Sequence, residues 1–238
     1  MKVPRNPGRV AGFWYLLLCI IGPLRLMYIP DKLFVHGNAL ATVNNIGAHA
    51  LLFRLGIAGD LTCGVILIFL ALAFYRLFKD VDQYLAVLVV ILGGVMPAVI
   101  DFVNVVTDLG VLTFVSGANF LSVFDKPQRD GLAMLLLRLH DHQNTAAEIL
   151  WGLWLIPLAL LEYRSRFLPR FLGVWLVING CAYVILSFTG ILLPQYQGEV
   201  FLISQPALLG EIALMLWLVI KGARPPQARE SAASFSAV

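Results

Sequence analysis

The residues able to do chemistry in this chain are carboxylates set inside apolar runs. Asp60 sits in AGDLTCGVILIFLALAFYR (58–76), Glu148 in AAEILWGLWLIPLALLEYR (146–164), and Glu211 in Gly210-Glu211-Ile212. Asp101, Asn104 and Asp108 are separated by offsets that place them on one helical face, and so are His140, Asn144 and Glu148. Asn179 and Gln205 add polar groups from later runs. An ionised carboxylate facing lipid costs several kcal/mol, so these side chains are expected to face partners or water inside a helix bundle. A carboxylic acid kept protonated in an apolar shell serves as a general acid. On that chemistry the candidate proton donors and acceptors are Asp60, Glu148, Glu211 and His140. The candidate ligand contacts are Asp101, Asn104, Trp151, Asn179 and Gln205. The competing reading is a polar network that holds the bundle together, with Arg25, Arg54 and Arg138 as partners of the acids. Trp151 lies three residues after Glu148 and either lines the same site or packs in the core.

His140-Asp141-His142 suggests a metal centre with Glu148 and Asp101 as further ligands. Histidines two apart on a helix point roughly 200° away from each other, so they do not share one ion without distortion. No metal and no cofactor is expected, and the histidines read as helix-start polar residues at headgroup level. Cys19, Cys63 and Cys181 all lie in apolar runs, with no Cys-x-x-Cys pair and no disulfide framework.

These residues must be positioned by membrane helices. The 238-residue chain is 60% hydrophobic and only 13% charged, with mean hydropathy +0.85. A soluble domain carries about 25% charged residues. The net charge of +3 is spread over ends and loops and makes no case for nucleic acid. Apolar length predicts six spans, at about 10–29, 55–78, 84–106, 143–163, 171–193 and 201–220, in one helical domain over 1–222. The first is read as a retained span, since its basic start and apolar run are followed by Gly22-Pro23-Leu24-Arg25 and no small-x-small site. Gly93, Gly94 and Pro97 are expected to kink span 3. Leu109–Phe124 is short for a span and reads as interfacial or re-entrant, and Asp130 as the cap of the helix that leads into span 4. Asn45–Arg54 reads as amphipathic, and 223–238 as a disordered tail.

Eleven of the seventeen Lys and Arg fall on one side of this topology: in the first ten residues, between spans 2 and 3, between spans 4 and 5, and after span 6. The positive-inside rule makes that side cytoplasmic, with both termini, in the cell (plasma or inner) membrane. Asp60 and Glu148 each precede a cytoplasmic arginine by sixteen residues. That is roughly 24 Å, within the outer third of a core about 30 Å thick. Glu211 should lie nearer the midplane.

Residues 58–76 and 146–164 align without a gap, with nine of nineteen positions identical and Asp60 on Glu148. Shared apolar composition alone would give roughly two identities. Arg9-x-x-Gly12-x-Trp14 similarly matches Arg170-x-x-Gly173-x-Trp175. The matches suggest hairpins 1–2, 3–4 and 5–6 as variants of one unit, each inward helix carrying an acid after a small residue (Gly59, Ala147, Gly210).

Several stretches resemble a family of bacterial integral membrane proteins known as domain of unknown function 4386. They are Arg9-x-x-Gly12 with the leucine run to Gly22-Pro23, LFRLGIAGDL (52–61), YRSRFLPRFLG (163–173), Tyr183, Ser187-Phe188, Leu193-Pro194 and LLGEIALMLWLVIKG (208–222). The resemblance covers most of 9–222. It implies an all-helical membrane fold and Asp60, His140 and Glu211 as family-like positions, and it implies no activity. Glu148 and His142 depart from the pattern, which has small and apolar residues there.

The leading expectation is therefore an outer-half intramembrane pocket, lined by carboxylates, that binds or chemically converts a lipophilic small molecule. A proton- or cation-coupled transporter, assembled as a dimer if two opposed halves are needed, and a structural or sensor protein without catalysis are the alternatives. Beyond the lipid bilayer and such a ligand, a second copy of the chain is the one partner considered.

Overall fold

The computed structural model describes residues 6–35 and 37–224. Regular structure among them is helical throughout. Among the described residues six helices are long and apolar enough to cross a membrane: Pro7–Leu33, Ala50–Phe78, Gln83–Ser116, Lys126–Ser165, Arg170–Leu192 and Pro194–Ile220. The chain is an all-α, multi-pass membrane helix bundle, and these six are spans 1 to 6 below. His36 and residues 225–238, most of the stretch read as a disordered tail, lie outside the described residues.

Two segments differ from the sequence expectation. Leu109–Phe124 is not a separate piece, because Leu109–Ser116 continues span 3. Gly110 does not interrupt it: a Cβ there would lie 2.7 Å from Leu136 Cδ1, so this glycine serves close packing. The chain turns only at Gly117, where φ is +65°. Span 4 begins at Lys126 and is capped by Asp125 instead of Asp130. The Asp125 carboxylate accepts from Gln128 N (2.8 Å), and Gln128 Oε1 accepts from Asp125 N (3.0 Å), a reciprocal capping box. Asp130 instead pairs with Lys126 at 2.6 Å. Asn45–Arg54 divides between a short helix, Ala39–Ala48, and the start of span 2.

Proline shapes three spans by one mechanism: its ring clashes with the carbonyl four residues earlier and offers no N–H to it. A wide π turn, Leu24–Tyr28, precedes Pro30, and another, Ile91–Val95, precedes Pro97. The kink expected in span 3 is the second of these. In span 4 the regular helix breaks at Trp154, three residues before Pro157.

The chain forms two compact units, and their boundaries fall inside long helices. The first comprises 1–19, 66–97 and 145–238. Its core is built on Tyr15, Leu70, Phe74, Leu77, Phe78, Leu155, Leu158, Leu161, Leu172, Leu176 and Leu218. Here consecutive spans pack in order. Trp14 stacks on Phe69 at 5.1 Å between centroids, and Gly94 lies against Ala71 and Leu67 O. Gly93 lies against Trp154, Gly173 against Ala159 O, and Gly210 against Trp175. Span 6 then returns to span 1: Gly12 meets the Leu218 backbone, and Gly8 N donates to Ala223 O at 3.0 Å. The matched glycines of spans 1 and 5, Gly12 and Gly173, each bring their helix onto the backbone of the span numbered before it in this closed order.

The second unit comprises 20–65 and 98–144. Its core gathers Leu33, Val43, Ile46, Phe53, Ile57, Val111, Leu112, Ala133 and Leu137.

Candidate functional site

In the second unit, the π turn of span 1 carries Arg25, whose stem lies over Gly59 of span 2. The small residue before Asp60 thus makes room for the arginine that pairs with it. Arg25 Nη1 donates to Asp60 Oδ1, and Nη2 donates to Asp101 Oδ1 at 3.1 Å. Gly64, one turn past Asp60, permits close approach of span 3, since a Cβ there would lie 3.3 Å from Asp101 Cβ. All three partners are nearly inaccessible, with 5–6% of each side chain exposed.

Spans 3 and 4 run antiparallel through this unit and set their polar residues in facing layers. Asp108 Oδ1 lies 2.9 Å from His140 Nδ1. One turn away, Asn104 Nδ2 donates to Asn144 Oδ1 at 3.0 Å. Ligand-type atoms of Asp60, Asp108 and His140 all lie within 4.8 Å of one another. Asp101 Oδ2 and Asn104 Oδ1 are buried acceptors without a hydrogen-bond partner among the described residues. His142 is exposed while His140 turns inward, as their spacing requires.

In the first unit, Tyr15 Oη donates to Glu211 Oε1 at 2.5 Å. Tyr183 and Asn179 side chains also border Glu211. Tyr15 packs edge-on against Phe74 at 5.9 Å and tilts against Trp154 at 6.1 Å. Trp151 meets Tyr183 edge-on at 5.9 Å, and Glu148 is close enough to Tyr183 to interact with it electrostatically. Gly210, the small residue before Glu211, admits Trp175, whose Nε1 donates to Pro206 O at 3.1 Å.

The candidates thus gather in two centres. Asp60, Asp101, Asn104 and His140 belong to one, in the second unit; Glu148, Trp151, Asn179 and Glu211 belong to the other, in the first. Gln205 joins neither: it is exposed and donates to Phe201 O of its own helix at 3.3 Å. Arg25 is the one arginine of the three weighed that sits among the acids, whereas Arg54 and Arg138 are exposed. Asp60 and Glu148, equivalent in the repeat, fall in different units. Two open grooves, of about 340 Å³ beside Phe124 and Leu132 and about 250 Å³ beside Phe171 and Trp217, are lined by none of the candidate acids.

Sequence reasoning missed Tyr15 and Tyr183 as partners of Glu211, since their hydroxyls come from distant spans. It also missed Glu162, which is 0% exposed and has no hydrogen-bond partner for either carboxylate oxygen among the described residues. Its place in LEYRSR suggests a solvated helix end. No curated protein and no solved structure gives a significant match. The family described as Domain of unknown function (DUF4386) matches residues 10–222, spanning every helix that holds these two centres, and the chain belongs to that family.

Proposed function

We propose that this membrane protein binds a lipophilic small molecule and acts on it by acid–base chemistry at the Glu211 centre. It resides in the cell membrane with both termini cytoplasmic. The observation that carries the reading is a carboxyl group joined to a phenol, Tyr15 to Glu211, and bordered by Tyr183, Trp151 and Trp154. A carboxyl–phenol pair exchanges a proton without needing water, and aromatic faces stabilise positive charge that develops on an apolar substrate. Acid-initiated isoprenoid cyclisation is one reaction with these requirements. Glu148, near Tyr183, is the second carboxyl available for the return of the proton.

The test is extraction of wild type and Glu211→Gln from native membranes into nanodiscs, with mass spectrometry of the co-purifying lipophilic compounds. A compound enriched over bulk lipid in wild type, and replaced by a different, unconverted one in the variant, is the expected result. Identical bulk-lipid profiles in both would reject the reading. Single-cysteine labelling at both termini from either face of sealed vesicles tests the orientation.

A second reading, a proton- or cation-coupled transporter, is favoured by the other centre, where Arg25, Asp60, Asp101, Asp108 and His140 lie within the membrane spans. It requires acid-dependent flux in liposomes, abolished by Asp108→Asn.

A further inference from the structure

We propose that Asp60, Asp108 and His140 form a binding site for a divalent transition-metal ion of the zinc class. The three residues come from spans 2, 3 and 4, and their ligand-type atoms lie within 4.8 Å of one another. Around a tetrahedral ion with bonds of about 2.0–2.1 Å, ligand atoms sit about 3.3 Å apart. The 2.9 Å contact between Asp108 Oδ1 and His140 Nδ1 is already close to that spacing. The pair is joined here by a hydrogen bond, whose proton a bound ion would replace.

Two further features point to a cation. Of the charged groups gathered here, three carboxylates (Asp60, Asp101, Asp108) face one guanidinium, Arg25. The centre therefore holds more negative than positive charge unless the imidazole and a carboxyl both take protons. In addition, Asn104 Oδ1 is fully buried with no hydrogen-bond partner among the described residues. It lies one helical turn before Asp108 on the same face, so the layer next to the triad holds a spare oxygen able to accept a hydrogen bond from a metal-bound water. A group of surface acids would show neither the burial nor the spare acceptor.

The donor set decides the class of ion. One imidazole with two carboxylates suits zinc, cobalt, iron or manganese better than calcium, which takes six to eight oxygens. Three protein ligands leave one position for water or a bound molecule. Arg25 remains on Asp60 Oδ1 and fixes that carboxylate, as outer-shell partners of metal ligands do. His140 is the most exposed of the three, with 18% of its side chain accessible, and gives the ion its way in. The sequence alone obscured the site, since His140 pairs with residues 32 and 80 positions away instead of with His142.

The experiment is a titration of chelator-stripped full-length protein in nanodiscs with Co²⁺, followed by visible absorption, with Zn²⁺ as competitor. One Co²⁺ per chain is expected, with the intense bands of a tetrahedral site, displaced by Zn²⁺. Asp108→Asn and His140→Ala are expected to weaken binding at least about 100-fold, and His142→Ala to leave it unchanged. His140→Cys retains a ligand at the same place and is expected to add a thiolate-to-cobalt charge-transfer band, so loss of fold in the alanine variant does not decide the outcome. The proposal is overturned by the absence of saturable binding in wild type. It is overturned equally by binding that survives both ligand variants or that depends on His142, or by Co²⁺ bound to His140→Cys without the thiolate band.

Discussion

Arg25 bridges two buried acids at once, so its loss strands both. Removing one partner of a buried ion pair leaves uncompensated charge, at a cost of about 3–5 kcal/mol. Arg25→Leu is therefore expected to lower the thermal transition in detergent sharply. Adding Asp60→Asn and Asp101→Asn to it should recover most of the loss, because the stranded charges go with the partner. In the first unit, Tyr15→Phe removes the hydroxyl that donates to Glu211 and keeps the ring against Phe74 and Trp154. A hydrogen bond between such groups contributes about 0.5–1.5 kcal/mol net, and the variant should lose about that amount in chemical denaturation. The acids themselves were legible from the sequence because charge inside an apolar run has few innocent explanations. Arg25 was legible as a partner too, but which acids it meets was not, nor were the hydroxyls of Tyr15 and Tyr183, because packing between spans that no local pattern encodes brings them together. Glu162 shows the opposite failure, an acid hidden by its ordinary setting near basic residues.

Among the elements, helix ends and glycines carry most of the specification. The existence of apolar spans followed from hydropathy, and the proline-linked distortion of span 3 from Gly-Gly and Pro97. The extension to Ser116 did not, since Gly110 reads as a breaker until its contact with Leu136 is seen. Gly152 and Gly180 face one another across spans 4 and 5: a Cβ on Gly152 would stand 2.4 Å from Gly180 O, and a Cβ on Gly180 2.8 Å from Gly152 O. Backbone cannot yield as a side-chain tip does, so Gly152→Val should abolish folded protein in size-exclusion chromatography. Gly198→Ala, in span 6 with nothing within 4 Å, should be neutral or stabilising by up to about 1 kcal/mol. At the end of span 4, Arg166 holds φ +57°, a left-handed conformation that disfavours L-residues by about 1–2 kcal/mol. Arg166→Gly should accordingly raise the transition temperature, a gain partly offset by the extra freedom of glycine in the unfolded chain.

For the whole molecule, the all-helical membrane class was readable from composition alone, whereas the division into two units was not. Boundaries at 19/20, 65/66, 97/98 and 144/145 cut through helices, and hydropathy runs smoothly across the first three. The same boundaries bear on the internal repeat. It equates Asp60 with Glu148 by position along a helix, but the boundary passes after the first and before the second. In the first unit the last span returns to the first, with Gly8 N on Ala223 O and Ala223 N on Asn6 Oδ1 at 3.1 Å. A circular permutant that joins Arg224 to Asn6 through a short linker and opens between Arg166 and Pro169 should fold, with a transition close to wild type, because adjacent ends tolerate relinking.

That closing contact also has a consequence in time. The glycine face of span 1, Gly8 and Gly12, is matched by backbone from residues 218–223, which the ribosome delivers about 210 residues later. At 5–20 residues per second, the first helix waits roughly 10–40 s for its seat. During that interval a narrow glycine groove stands open to the translocon and to lipid. Any factor that shepherds this protein into the bilayer has its clearest task there, sheltering the beginning of the chain until the end arrives.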